Sequence, residues 1–246
     1  AVTRGVEVAM TPFRKKFSSL NSSYMVFLDI HTHSAARNDS EIIRVRNLRP
    51  NETISPNTFC SIGIHPWSVP ENYSGELLAV REGLNHYEVV ALGECGLDKV
   101  CSTPYEKQRK AFLDQIDLSE EFGMPVLLHI VRAWDDLLAI KKQVKPSQPW
   151  IVHGFRSSEE QARQLIRAGL FLSFGCRFSP EALRLSYESG IALLETDENI
   201  KDIREWYYEA AECIGCSLQE LQRHTLALGA GLFPRLRLHK HFSAIR

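Results

Sequence analysis

The chain has no apolar run long enough to cross a bilayer, so no membrane-spanning helix and no membrane partner is expected. It has no surplus of one charge. Its 29 basic and 30 acidic residues leave a net charge of −1, which excludes a global attraction to nucleic acid but allows a local basic patch. There is no glycine-rich phosphate loop and no nucleophilic serine elbow. No repeat, low-complexity stretch or Pro/Gly-rich linker divides the sequence. Cysteine is sparse: six residues are scattered over a chain too large to need stapling, so reduced thiols and a cytoplasmic location are expected.

What is present is an ordinary globular composition, 44% hydrophobic and 24% charged over 246 residues, enough for a sizeable core. Residues 1–24 differ from the rest. Arg14-Lys15-Lys16 and the serine-rich run Ser18 to Ser23 carry no apolar periodicity, so this part reads as a loosely ordered extension. The remainder, 25–246, reads as one domain.

From Met25 onward, short apolar runs alternate with amphipathic stretches. Strands are expected over Val26–Ile30, Ile42–Leu48, Thr58–Ile64, Glu88–Gly93, Pro125–Ile130, Trp150–Val152, Leu170–Phe174 and Ile191–Leu194. Pro104-Tyr105 opens a helix whose apolar face is Phe112, Ile116, Leu118 and Phe122, stopped by Gly123. Ser157-Ser158-Glu159-Glu160 caps a second, and Ser179-Pro180 starts a third. Strands alternating with helices predict right-handed βαβ units and a parallel sheet. Eight strands in this length fit a (β/α)8 barrel, with a doubly wound sheet as the competitor.

The chemistry starts at Asp29-Ile30-His31-Thr32-His33. In an extended strand, residues i and i+2 point the same way, so His31 and His33 can converge on one cation. A lone His-x-His is a weak signal. Here it recurs as a pattern, because further ligand types follow later strands: His65, Glu94 with Asp98, His129, His153, and Glu195-Thr196-Asp197. Strand C-terminal ends are where barrel enzymes build their sites. Each residue also has a bland reading, as a hydrogen-bonded core histidine, a salt-bridged glutamate or a helix-capping aspartate. Their coincidence on successive strand ends favours a metal centre. Imidazole and carboxylate ligands together suit Zn²⁺, Mn²⁺, Mg²⁺ or Fe²⁺, and two such ions could clamp a water and a phosphate or carbonyl oxygen. Trp67, beside His65 in a loop, could stack on a base, although such a tryptophan more often just covers the barrel mouth. Cys213-Ile214-Gly215-Cys216 has redox-type spacing but lies in a late helical segment.

On these motifs the chain resembles the TatD family of metal-dependent hydrolases, in the amidohydrolase superfamily, from about Met25 to Phe233. The resemblance rests on the Asp29–His33 motif, Gly63-Ile64-His65-Pro66, Gly93-Glu94-Cys95-Gly96-Leu97-Asp98, and Gln108 with Phe112 and Gln115. It continues through Pro125–His129, His153-Gly154-Phe155 and Glu195-Thr196-Asp197. It implies a TIM-like barrel, two divalent metal ions and hydrolysis of DNA phosphodiester bonds, often in the 3′-to-5′ direction. It further implies that His31, His33 and Asp197 hold one ion, that His129 and His153 hold the second, and that Glu94 bridges them. Asp197 and Glu94 are then the catalytic carboxylates, and His65, Asp98, Arg132 and Trp67 are expected on the substrate side.

Three departures from the family pattern stand out. The segment between His33 and Gly63 is short, so the second βα unit is expected to be reduced and the barrel distorted. Arg132 falls one residue later after His129 than the pattern has it, and no proline follows Asp197. All three leave the ligand set intact and alter the rim. The reading is therefore a metal-dependent deoxyribonuclease acting on single strands or 3′ ends, with no obligate protein partner. Amide or ester hydrolysis at the same centre is the second reading, and a non-catalytic binding protein on the same fold is the third.

Overall fold

The computed structural model describes residues 26–35 and 39–238, so the extension expected over residues 1–24 lies outside the described residues. Eight strands form one sheet in the order β1 to β8, every neighbouring pair parallel. They are β1 (Phe27–Thr32), β2 (Ile42–Leu48), β3 (Cys60–Ile62), β4 (Val89–Asp98), β5 (Val126–Val131), β6 (Trp150–Val152), β7 (Phe171–Phe174) and β8 (Ala192–Leu194). The helices between them are α1 (Ser74–Gly83), α2 (Tyr105–Phe122), α3 (Trp134–Val144), α4 (Glu159–Arg167) and α5 (Pro180–Glu188). After β8 come α6 (Ile203–Ile214) and α7 (Leu218–Leu232). This is the TIM-like barrel, and the doubly wound alternative is excluded because the strand order never reverses.

All eight expected strands form, with small shifts at their ends. β4 is the largest revision: it continues past Gly93 through Glu94 to Asp98. β2 is a full seven-residue strand, so the shortening falls on its connections and not on the strand. Among the described residues no helix lies between β1 and β2 or between β2 and β3.

The helix boundaries follow local chemistry. Ser158 accepts from the Gln161 N–H and Ser179 from the Ala182 N–H, with Pro180 in the first turn of α5. Ser217 and Glu220 make a reciprocal capping box at the start of α7. α2 stops at Gly123, whose φ of 63° is left-handed.

Two apolar layers result. Alternate strand residues, among them Leu28, Ile30, Val45, Val90, Leu127 and Leu193, pack inside the barrel. Phe233 and Leu236, beyond the end of α7, join this inner cluster. Arg235 fastens that segment by donating to the carbonyls of Leu84, His86 and Val89, at the N-terminal end of β4. The opposite strand residues pack against the helices, with Trp150, Phe112 and Trp206 fully buried.

Between β1 and β8 the ladder is reduced to one parallel bridge, Thr32 with Asp197. Side chains take up several backbone groups there. The Tyr207 hydroxyl accepts from the Leu28 N–H at 3.1 Å and donates to the Leu28 carbonyl at 2.9 Å. Gln222 donates to the Val26 carbonyl and His224 to the Ala192 carbonyl. A buried amide or carbonyl left without a partner costs about 1–3 kcal/mol, so this seam is held by α6 and α7 in place of a neighbouring strand.

Candidate metal centre

The strand ends deliver the expected residues to one place, the C-terminal mouth of the barrel. Five imidazoles surround the buried carboxylate of Glu94. His153 Nε2 lies 2.7 Å from Oε1, His129 Nδ1 2.8 Å and His65 Nε2 3.0 Å, while His31 Nε2 and His33 Nε2 both lie 3.5 Å from Oε2. Asp197 Oδ1 stands 3.6 Å from His31 Nε2 and 3.5 Å from His33 Nε2. Three sets of donors are close enough to share a cation: His31, His33 and Glu94; His31, His153 and Asp197; and His65, Glu94 and His129.

These residues fit a divalent ion on their own chemistry. His31 is fully buried, and neither of its ring nitrogens has a hydrogen-bond partner. An orphaned buried imidazole costs free energy unless a cation takes its lone pair. The donor set of imidazole nitrogens and carboxylate oxygens is that of Zn²⁺ and related ions. Electrostatics agree with it. Burial alone would push the Glu94 carboxyl up, but His153, His129 and His33 outweigh burial and hold it well below its usual range. Burial likewise raises Asp197, and His31 with His153 overcomes this, so the net shift is downward. Both carboxylates are therefore anionic near neutral pH, as ligands must be.

Each group is held by a partner behind it. Asn47 on β2 accepts from the Glu94 N–H at 2.9 Å and from the Ser61 hydroxyl, and its amide nitrogen lies 3.4 Å from Glu94 Oε2. Glu195 Oε1 sits 3.2 Å from His153 Nδ1 and accepts from the Gly154 N–H. Asp29 accepts from both the N–H and the hydroxyl of Thr196, tying the end of β1 to the end of β8. Burial raises the Asp29 carboxyl to about 7, against the opposing pull of those bonds.

Two glutamines of α2 complete the support. Gln115 accepts from the Ile64 N–H and donates to the Ile64 carbonyl, fixing the backbone one residue before His65. Gln108 accepts from the Asp98 N–H and donates to the Asp98 carbonyl. Gly96 has a φ of 146°, and a Cβ there would come within 2.1 Å of the His129 carbonyl oxygen. A glycine at that position is what lets β4 approach β5 where the two strands pair at His129.

The substrate-side expectations divide. His65 enters the cluster itself. Asp98 has both oxygens engaged inside the protein: Oδ1 accepts from the Val100 and Cys101 N–H groups, while Oδ2 accepts from the Trp67 indole at 2.6 Å and lies 3.1 Å from His129 Nε2. Trp67 is 59% exposed, pinned by that bond, with its ring 4.9 Å from His65. Arg132 is exposed beyond the end of β5 with a φ of 52°. Sequence reasoning missed Asn47 and gave no role to Glu195 or Asp29. Asn47 stood in an apolar strand with no motif around it, whereas Glu195 and Asp29 lay within the motifs already noticed.

Barrel and cluster together define an α/β barrel protein with a candidate metal centre at its mouth. The chain belongs to the TatD family: the model of TatD related DNases matches residues 15–223. It is 41% identical over 112 residues to the 3′-5′ ssDNA/RNA exonuclease TatD of Erwinia billingiae, covering 44% of this chain and 42% of that protein. It is 33% identical over 119 residues to the uncharacterized metal-dependent hydrolase YabD of Bacillus subtilis, covering 48% and 47%. These matches thus span less than half the length of the curated relatives. Among solved structures, the TatD homolog YjjV of Escherichia coli superposes with a TM-score of 0.70 at 20% identity, covering 85% of this chain and 98% of that one. A TatD family hydrolase of Entamoeba histolytica gives 0.66 at 15% identity, with the same coverage. At such identities the likeness is one of fold.

Proposed function

We propose that this protein is a divalent-metal-dependent nuclease that hydrolyses phosphodiester bonds of nucleic acid, acting on single strands or 3′ ends. The observation that carries this reading is the convergence of His31, His33, His129 and His153 on Glu94, with Asp197 beside them at the open mouth. Family membership and the name of the exonuclease relative support the choice of substrate.

In this reading His31, His33 and Asp197 would hold one ion and His129 and His153 a second, with Glu94 shared, although His153 also stands within reach of His31 and Asp197. Bound there, divalent ions supply a more acidic water and Lewis acidity toward a phosphoryl oxygen. The chain's own residues do the rest. Asp197, 41% exposed and kept anionic by His31 and His153, is placed to accept the proton of the attacking water at its carboxylate and return it to the leaving oxygen. Glu94 keeps the cluster together and balances the charge of the imidazoles. Trp67, held by Asp98, offers an aromatic face to a base. All six cysteines are free thiols, which fits a reducing compartment such as the cytoplasm, and among the described residues no helix is long and apolar enough to cross a membrane.

The test is elemental analysis of purified protein followed by cleavage assays with labelled single-stranded DNA carrying free or blocked 3′ ends, with metal supplied and then chelated. A panel of amides and esters runs in parallel. Cleavage of DNA that stops on chelation is expected. Metal bound with an amide or ester cut and DNA spared would keep the centre and overturn the substrate.

A further inference from the structure

Resting on that nuclease reading, we infer that Arg132, Arg156 and Arg177 form a phosphate track, along which the body of a single-stranded nucleic acid lies beside the metal centre. β5, β6 and β7 are consecutive, parallel neighbours, so the loops after them stand side by side at the mouth. Arg132 directly follows Val131 at the end of β5, Arg156 follows Val152 of β6 by four residues, and Arg177 follows Phe174 of β7 by three. All three side chains are exposed.

Their lack of partners sets them apart from other cations of the rim. Lys99 is paired with Asp136, Lys201 with Glu209, and Arg204 with Asp39, Glu41 and Asp202. Among the described residues no hydrogen bond or ion pair engages Arg132, Arg156 or Arg177. Of the carboxylates in the nearby helix starts, Asp136 is engaged by Lys99 and Tyr105, Glu159 by Arg163 and Glu181 by Ser179, while Asp135 and Glu160 pair with no arginine among the described residues. A free guanidinium presents a planar fork of donors that matches a phosphate in two-point contact.

The placement also sets the row beside the centre. β5 and β6 carry His129 and His153, and β7 pairs with β8, after which Asp197 comes, so the row skirts one side of the cluster. Phosphates beyond the scissile one are what such a row would meet. With a net charge of −1 the protein has no global pull on a polyanion, so attraction beyond the centre itself rests on local groups such as this row.

The experiment measures binding of a hydrolysis-resistant phosphorothioate oligodeoxythymidylate to the full chain with divalent ion present, as a function of salt. Three single-strand phosphate contacts contribute a slope of about 2 in log Kd against log salt, so replacing all three arginines by glutamine should lower the slope by roughly that amount. The three Arg→Lys replacements together should keep it. Lys142→Gln with Lys145→Gln, at the far end of α3, removes positive charge away from the mouth and should leave the slope unchanged. A slope that survives the glutamine replacements, or falls equally with the two lysines, overturns the track while strand binding keeps the nuclease reading alive. Absence of any strand binding by the unsubstituted protein removes the nuclease reading and the track with it.

Discussion

Glu195 Oε1 lies 3.2 Å from His153 Nδ1 and 2.8 Å from the Gly154 backbone nitrogen, so one fully buried carboxylate holds both the ring and the backbone of the same strand end. This bond orients the ring with Nδ1–H toward Glu195, so that Nε2 faces Glu94 and would be the nitrogen offered to a bound cation. Glu195→Gln keeps the volume and an acceptor for Gly154 but weakens the hold on the tautomer. The variant should fold normally and bind metal roughly 10–100-fold more weakly. Competition titration with a chromogenic chelator reads this directly, and unchanged affinity would show that the bond is incidental.

Glu94 and His129 should differ in their effect on metal content. Glu94 is within 3.5 Å of all five imidazoles, whereas His129 faces Glu94 and Asp98 at one side. Elemental analysis should find both ions reduced in Glu94→Gln and mainly one reduced in His129→Ala. Full occupancy in both variants would contradict the assignment.

Asp197→Asn keeps an oxygen ligand and removes the base. The fold and some metal should persist, while the rate on single-stranded DNA falls on the order of 10²-fold or more, the range typical of losing a general base. Nuclease activity that survives this substitution would reject Asp197 as the proton acceptor.

Tyr207 is the structural test of the seam. Tyr207→Phe leaves the Leu28 N–H and carbonyl without their partner in a buried place. Urea unfolding should show a loss of about 1–3 kcal/mol with an unchanged slope. A neutral effect would mean that β1 and β8 can pair there without it.

His224 supplies a pH dependence far from the metal ligands. Burial lowers its imidazole from 6.5 to about 4, outweighing its bond to the Ala192 carbonyl. The unfolded chain therefore takes up a proton below pH 6.5 that the folded chain refuses until about pH 4. The stability associated with neutral His224 is complete above pH 6.5 and is lost as pH falls toward 4, up to about 3 kcal/mol. Thermal melts from pH 7 to 4.5 should fall less steeply for His224→Gln than for the unsubstituted chain, and parallel curves would refute the shift.

The sequence by itself determined the alternation of parallel strands and helices and the gathering of ligand-type side chains at the strand ends. Period-two apolar runs alternate with capped helices, and side chains at strand ends can only emerge at one end of a parallel barrel. His31, His33, Glu94, His129, His153 and Asp197 were legible for that reason, as ligand types placed at the ends of apolar runs. Tertiary structure alone decided what stands behind them. Asn47 reaches Glu94 across 47 residues, Glu195 reaches His153 across 42, and Tyr207 reaches Leu28 across 179. Such pairings have no local signature, because a hydrogen bond between distant strands depends on barrel closure and register and not on the spacing of residues along the chain. The same holds for the rim. That Lys99 is paired while Arg132 stands free follows from where α3 places Asp136, which no composition or periodicity encodes.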